Sequence, residues 1–340
     1  MQNSRTESYQ EQLQRTARYE ALRPMTASEI VDYSLKLFRM VGGSILKPTV
    51  TSATMVFISV LMVSQMLIPA LFTTSSPDSV TGQVTEVVVA ILLGIFAAIP
   101  TLVIGLGNIA SRSVISAKDY LMGFNSHEVI RTKEVDEVLP KMIQLFARMF
   151  MVASAGIFVS IALLLFGALA GSLMNDKDLA GFLSILGIVS FWISAIWAVR
   201  CFFVHSLAPP AMVMDNLSPK DAMKRSQELS KAQRYIPSCA DTVFSVAGMM
   251  LFFTLIVGGA VSFVYSILGV VEFLSALTAM YWWSEILIPT ILGIPFLVTL
   301  WLVLPAWFVG STAIYFERRI RIDGFDVVML NHELASKNRR

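Results

Sequence analysis

Charge is what this chain lacks most. Only 15% of its 340 residues are Asp, Glu, Lys or Arg, against 55% hydrophobic, where soluble domains carry about 25% charged residues. With a mean hydropathy of +0.68, an ordinary soluble domain is excluded. Cysteine is nearly absent too. Cys201 and Cys239 are the only two, and both are expected near cytoplasmic ends of spans, where a reducing environment argues against a disulfide framework. The three histidines, His127, His205 and His332, are scattered without spaced ligand partners, so neither a metal site nor a cofactor is expected. No H-E-x-x-H, G-x-S-x-G or Walker motif occurs, and Gly105-Leu-Gly107 is a lone Gly-x-Gly inside an apolar run and no nucleotide loop. The polar start, Met1 to Pro24, has no apolar core of a signal peptide.

What is present is apolar sequence in long blocks. A helix rises about 1.5 Å per residue, so a bilayer's hydrocarbon takes about 20 apolar residues. Six runs qualify: Val50 to Phe72, Val84 to Ala110, Phe150 to Met174, Leu179 to Val204, Val243 to Val271 and Ile286 to Phe316. The last two are long enough to tilt or kink. The fold class is therefore an all-α integral membrane protein with six transmembrane helices. Its parts are a polar N-terminal segment (residues 1–24), a six-span domain (25–320) and a C-terminal tail (321–340).

The cations orient it. Of 26 lysines and arginines, every one but Lys177 falls before span one, between spans two and three, from the end of span four to span five, or after span six. The positive-inside rule makes that side cytoplasmic and places both termini there. Short loops at Thr73 to Gln83 and Asn175 to Asp178, and the aromatic Tyr281, Trp282, Trp283 before span six, suit the other face.

Polar helices punctuate the spans. Thr26-Ala-Ser-Glu29 has capping-box form and leads into Ile30, Ser34, Leu37, Phe38 and Val41 at helical spacing. A second stripe is Val135, Leu139, Met142, Phe146 and Met149, with Pro140 expected to break the helix near its start. A third helix opens Ser218-Pro-Lys-Asp221, with a cap, a proline at the first position and an acid in the first turn. The expected plan is three copies of an amphipathic helix plus a membrane hairpin. Their apolar faces lie against lipid or the bundle, and their basic faces can meet anionic lipid or a partner.

Ion-coupled transport needs ionisable groups at membrane depth, and the spans are nearly free of them. Glu86, Asp241 and Glu285 sit at span ends, and Arg200 lies one turn inside span four, within snorkelling reach of the surface. Pro100 in span two, and Pro289, Pro295 and Pro305 in span six, should kink those helices. Kinked helices line some transporter sites, although close packing is the commoner reason for them. Gly167-Ala-Leu-Ala-Gly171 has small-xxx-small spacing for close helix approach.

Three stretches carry a resemblance. They are Leu22-Arg-Pro-Met-Thr-Ala-Ser-Glu-Ile-Val-Asp-Tyr-Ser-Leu-Lys-Leu-Phe-Arg39; Ala211-Met-Val-Met-Asp215 with Ser218-Pro-Lys-Asp-Ala-Met-Lys-Arg-Ser226; and Tyr315-Phe-Glu-Arg-Arg-Ile-Arg321 with Gly324-Phe-Asp326 and His332-Glu-Leu-Ala335. Together they resemble the bacterial family named for the membrane domain of glycerophosphoryl diester phosphodiesterases. The resemblance implies a membrane module of the bacterial inner membrane without the soluble barrel that performs hydrolysis in the fused enzymes.

The expectation is a non-catalytic scaffold or partner subunit in a membrane assembly. A transporter or lipid-handling carrier, with a site between kinked spans two and six, is the alternative, and a membrane hydrolase comes third. Candidate contacts for anionic lipid headgroups at the cytoplasmic face, or for a protein partner, are Arg200, Lys224, Arg225, Arg318, Arg319 and Arg321. For the arginines ending span six, a structural clamp with acids of the amphipathic helices is the favoured role. Nucleic acid is not an expected partner.

Overall fold

The computed structural model describes residues 26–72, 80–122, 128–173, 177–232, 238–267, 291 and 293–323. The polar segment 1–24, nearly all of the 321–340 tail, the Tyr281–Trp283 aromatics, Glu285 and Pro289 lie outside them. Among the described residues every regular element is helical. These are α1 (Ala27–Phe72), α2 (Val80–Met122), α3 (Glu128–Leu173), α4 (Lys177–His205), the short α5 (Ala208–Met214), α6 (Pro219–Ala232), α7 (Ser238–Ile267) and α8 (Ile294–Asp323).

Five helices hold segments long and apolar enough to cross a membrane: Ser28–Met62, Ala98–Met122, Thr132–Leu163, Gly181–Met214 and Ile294–Ile320. The run expected as span five falls on α7, whose described apolar part, Met250–Val264, is shorter than a crossing requires. Large apolar side chains face outward on these helices, among them Trp192 and Ile196 of α4 and Phe252 and Phe263 of α7. Their outer surface suits lipid, not water.

Two expectations are corrected. The amphipathic stretches before the first and third runs are not separate helices: α1 and α3 continue through them into the apolar segments without a break. Nor does Pro140 break α3. A proline strips the carbonyl four residues earlier of its donor. Here Pro140 and Asp136 both face outward, so the freed carbonyl lies on the exposed side of the helix. Pro48 is likewise carried inside α1. Close to it, Thr49 Oγ1 donates to Ile45 O at 2.9 Å, and the Trp301 indole of α8 donates to Leu46 O at 2.8 Å, a directed bond between the last helix and the first. Helices α2 and α8 also run through Pro100 and Pro305.

The expected caps are present. Thr26 N–H donates to Glu29 Oε2 at 2.8 Å, and Glu29 N–H returns the bond to Thr26 Oγ1 at 3.4 Å. Ser218 caps α6 in the same way, accepting from the Asp221 N–H at 3.3 Å. The predicted stripes turn inward: Ile30, Ser34, Leu37 and Val41 of α1, and Val135, Met142, Phe146 and Met149 of α3, are all buried. They meet protein, where the sequence alone left lipid open.

Hairpins α1–α2 and α3–α4 are the most intimate pairs, and α8 packs on α1, α2, α7 and α5. Between apolar helices in lipid, burial of oil against oil contributes little, so small residues and hydroxyls set the fit. Ser59 and Thr101 hydroxyls meet at 2.6 Å across α1 and α2, and Ser160 donates to Ser190 at 2.9 Å across α3 and α4. The Gly-x-Gly of α2 serves two neighbours. A Cβ on Gly105 would lie 2.9 Å from the Ser52 carbonyl of α1, and one on Gly107 would lie 3.0 Å from Ile143 of α3.

Gly105→Ala is therefore expected to force α1 and α2 apart and to cost about 1–3 kcal/mol, the range for overpacking a fitted core. Gly43→Ala, where nothing lies within 4 Å, is the control. Thermal unfolding in mild detergent checks the pair; equal melting of the two variants would contradict this account of the hairpin.

Candidate functional site

A cluster of ionisable groups forms where α5 meets α2, α6 and the end of α8, and short-range backbone geometry puts the central one in place. Helix α5 starts on Pro209 and Pro210, whose fixed φ suits a first turn, and every residue from Ala208 to Val213 is buried. It ends with Asn216 at φ 50, a left-handed conformation that asparagine tolerates better than most residues. Leu217 N–H then donates to Met212 O at 3.2 Å, the six-to-one bond of a Schellman closure. This turn presents Asp215, whose own N–H is held by Ala211 O.

Asp215 receives two groups of α8. The Tyr315 hydroxyl donates to Oδ2, and Arg319 Nη1 sits 2.8 Å from Oδ1. Tyr315 and Arg319 are four residues apart, so one helix face carries both. Arg225 of α6 donates to the same Tyr315 hydroxyl and lies 3.8 Å from Glu228. Asp215 and Arg319 keep only 16% and 19% of their side-chain surface. The carboxylate and guanidinium therefore attract each other in a medium less screening than water. Glu317, Arg318 and Asp119 are buried on α8 and α2 at the same end. Acids and arginines are thus enclosed together, as buried charge requires.

Hydroxyls complete the joint. Ser226 and Ser230 of α6 both donate to Val204 O, at 2.7 and 3.2 Å, covering a carbonyl that the end of α4 leaves unpaired. Lys118 of α2 reaches Glu134 of α3 at 2.6 Å. The assembly is built to hold. Both oxygens of Asp215 face fixed partners, and among the described residues no group of three His, Cys, Asp or Glu side chains is arranged for a metal. A small apolar cavity of about 80 Å³, lined by Leu106, Phe146 and Met149, adjoins the joint, with Cys201 and His205 of α4 at its rim.

The six candidate cations separate. Arg319 and Arg225 enter the joint. Arg318, 1% exposed, is enclosed by protein. Arg200 and Lys224 are exposed on α4 and α6. The side chain of Arg321 lies outside the described residues. From the sequence, Asp215 is an acid at the exit of span four and Tyr315 a motif residue near the end of span six. Their separation of 100 positions hides the contact, and the one available signal was an acid beside an apolar exit in a chain so poor in charge.

No family model, no characterised protein and no solved structure matches the chain.

Removing the acid should expose the joint's worth. Asp215→Ala leaves Arg319 uncompensated and is expected to cost about 2–3 kcal/mol, below the fully buried range because the pair is partly exposed. Tyr315→Phe should cost about 1 kcal/mol, one net hydrogen bond. Adding Arg319→Met to Asp215→Ala should restore part of the loss. Detergent melting curves of the four proteins check this, and an unaltered Asp215→Ala would remove the clamp.

Proposed function

We propose that the protein is a non-catalytic six-span protein of a bacterial inner membrane, with both termini cytoplasmic, acting as a scaffold or partner subunit of a membrane assembly. In this reading α7 completes the count as span five, and the three units, each a polar helical stretch leading into a membrane hairpin, are divergent repeats. The resemblance to the membrane domain of glycerophosphoryl diester phosphodiesterases accords with a module that works beside an envelope or lipid enzyme.

The observation that carries the proposal is how the cations divide. Arg319, Arg225 and Lys118 are matched by acids or hydroxyls within the bundle. Arg148, Lys220 and Lys224 are exposed. A fold that neutralises its inner charges, and leaves an outer basic face, has its interaction chemistry on the outside. Close packing of α1 near Pro100 also supports this reading over a carrier: Phe57 meets Phe296 of α8 at 6.4 Å between ring centroids, and Ser59 meets Thr101 of α2.

Two experiments test it. Fusing a periplasm-active phosphatase after Lys177 should give activity, and fusing it after Ser218 or Arg340 should give none. Activity at Arg340 would mean an odd number of crossings. Mild-detergent affinity purification from native membranes should recover a stoichiometric protein partner. Arg200→Glu, which adds like-charge repulsion at the interface, should lower that recovery by about tenfold or more. A solitary protein carrying a defined solute would instead establish the carrier.

A further inference from the structure

The outer cations are not evenly spread. On α3, Arg148 is exposed and is followed one turn later by Met151 and Val152, at 66% and 44% exposure. The outward apolar surface continues along α3 through Phe158 and Val159. Arg148 therefore stands where a lipid-facing surface ends, the level of phosphate headgroups. Helix α6 packs against α3 and α4 at this point. It buries Ala222, Ser226 and Leu229 and turns Lys220 and Lys224, four residues apart, toward Arg148.

Between α3 and α6 lies an open groove of about 800 Å³. Arg148, Lys220 and Lys224 supply its cationic wall, and Met151 and Val152 its apolar floor. Asp221 is the one acid on its lining, and Ser218 Oγ donates to its Oδ2 at 2.6 Å, holding it to the helix cap. Among the described residues none of the three cations has an ion-pair or hydrogen-bond partner, whereas Lys118, Arg225 and Arg319 nearby all do. With three cations against a single carboxylate, the lining is net positive and favours an anion.

We propose that this groove binds an anionic phospholipid, with the phosphate held between Arg148, Lys220 and Lys224 and the acyl chains laid along Met151 and Val152. The apolar floor selects lipid over a free phosphate or an acidic peptide, because it is continuous with the surface that acyl chains already cover. Lysine contributes point-charge attraction and Arg148 a planar fork able to grip two phosphate oxygens. The site tethers α6, and so the outer face of the buried joint, to the leaflet whose surface is negative. The inference rests on the membrane-spanning reading above and adds a ligand class and a place to it.

The test uses the full chain in mild detergent, titrated with phosphatidylglycerol or phosphatidylcholine and followed by native mass spectrometry. The native protein should retain phosphatidylglycerol preferentially. Arg148→Gln, Lys220→Gln and Lys224→Gln should each weaken that retention by about fivefold, and the triple variant by about a hundredfold, with phosphatidylcholine retention unchanged. Lys224→Arg should behave as native. Circular dichroism and a single elution peak establish that each variant is folded, and the single variants suffice if the triple one is not. Retention by the folded variants equal to native would overturn the proposal. So would glycerol phosphate displacing the lipid at equal concentration, since the floor would then contribute nothing. A protein partner lost from these variants while phosphatidylglycerol stays bound would reassign the groove to protein. Release of the native chain from membranes by alkaline carbonate would sink the membrane reading itself, a failure separate from that of the groove.

Discussion

A single carboxylate joins the parts of this protein that the chain's own connectivity leaves apart. Asp215 sits on a turn between two short helices and receives the Tyr315 hydroxyl and the Arg319 guanidinium from the last helix. Apolar helices in lipid slide and rotate against one another at little cost, because one hydrocarbon neighbour resembles the next. A directed charge pair at low dielectric does not permit that freedom. It sets how far α8 reaches and which face it turns to α5. Through Arg225 on the same phenol, it also fixes where α6 lies. The position of α6 in turn decides whether Lys220 and Lys224 stand opposite Arg148.

Away from that joint, a different physics holds the bundle. Glycines at 105, 107 and 156 let neighbours approach until a single added carbon would meet Ser52, Ile143 or Ser194. The hydroxyls of Ser59, Thr101, Ser160 and Ser190 then bond across the narrowed gaps. Close approach strengthens both dispersion and those bonds, and it removes space in which a solute could sit. The Trp301 indole adds a directed bond of the same kind, from α8 to the Leu46 carbonyl of α1.

What could be read from the sequence was whatever depends on neighbours in the chain. Five of the six apolar blocks, the caps at Thr26 and Ser218, and the one-sided apolar stripes of α1 and α3 follow from periods of a few residues, and these are present. The continuity of α3 past Pro140 was missed because the fate of a proline depends on where its freed carbonyl points, a tertiary property. Span five is the mirror case: composition gave a long apolar run, yet the described apolar part of α7 covers only Met250–Val264. The joint was half legible. Arginines ending the last run suggested a clamp, but neither the acid they would find nor the enclosure of Arg318 has a local signature.

The contrast between Arg319 and Lys224 shows how structure sorts residues that sequence treats alike. Both are cations near the end of an apolar run, and both satisfy the positive-inside pattern equally. One faces a carboxylate at 2.8 Å and is four-fifths covered; the other is exposed in a groove beside two more cations. A charge already matched inside the fold has little left to offer a ligand. Three exposed cations without ion-pair partners among the described residues keep their attraction for an anion. Placed where α3 turns from Arg148 to Met151 and Val152, the anion that also gains from an apolar floor is one with hydrocarbon attached.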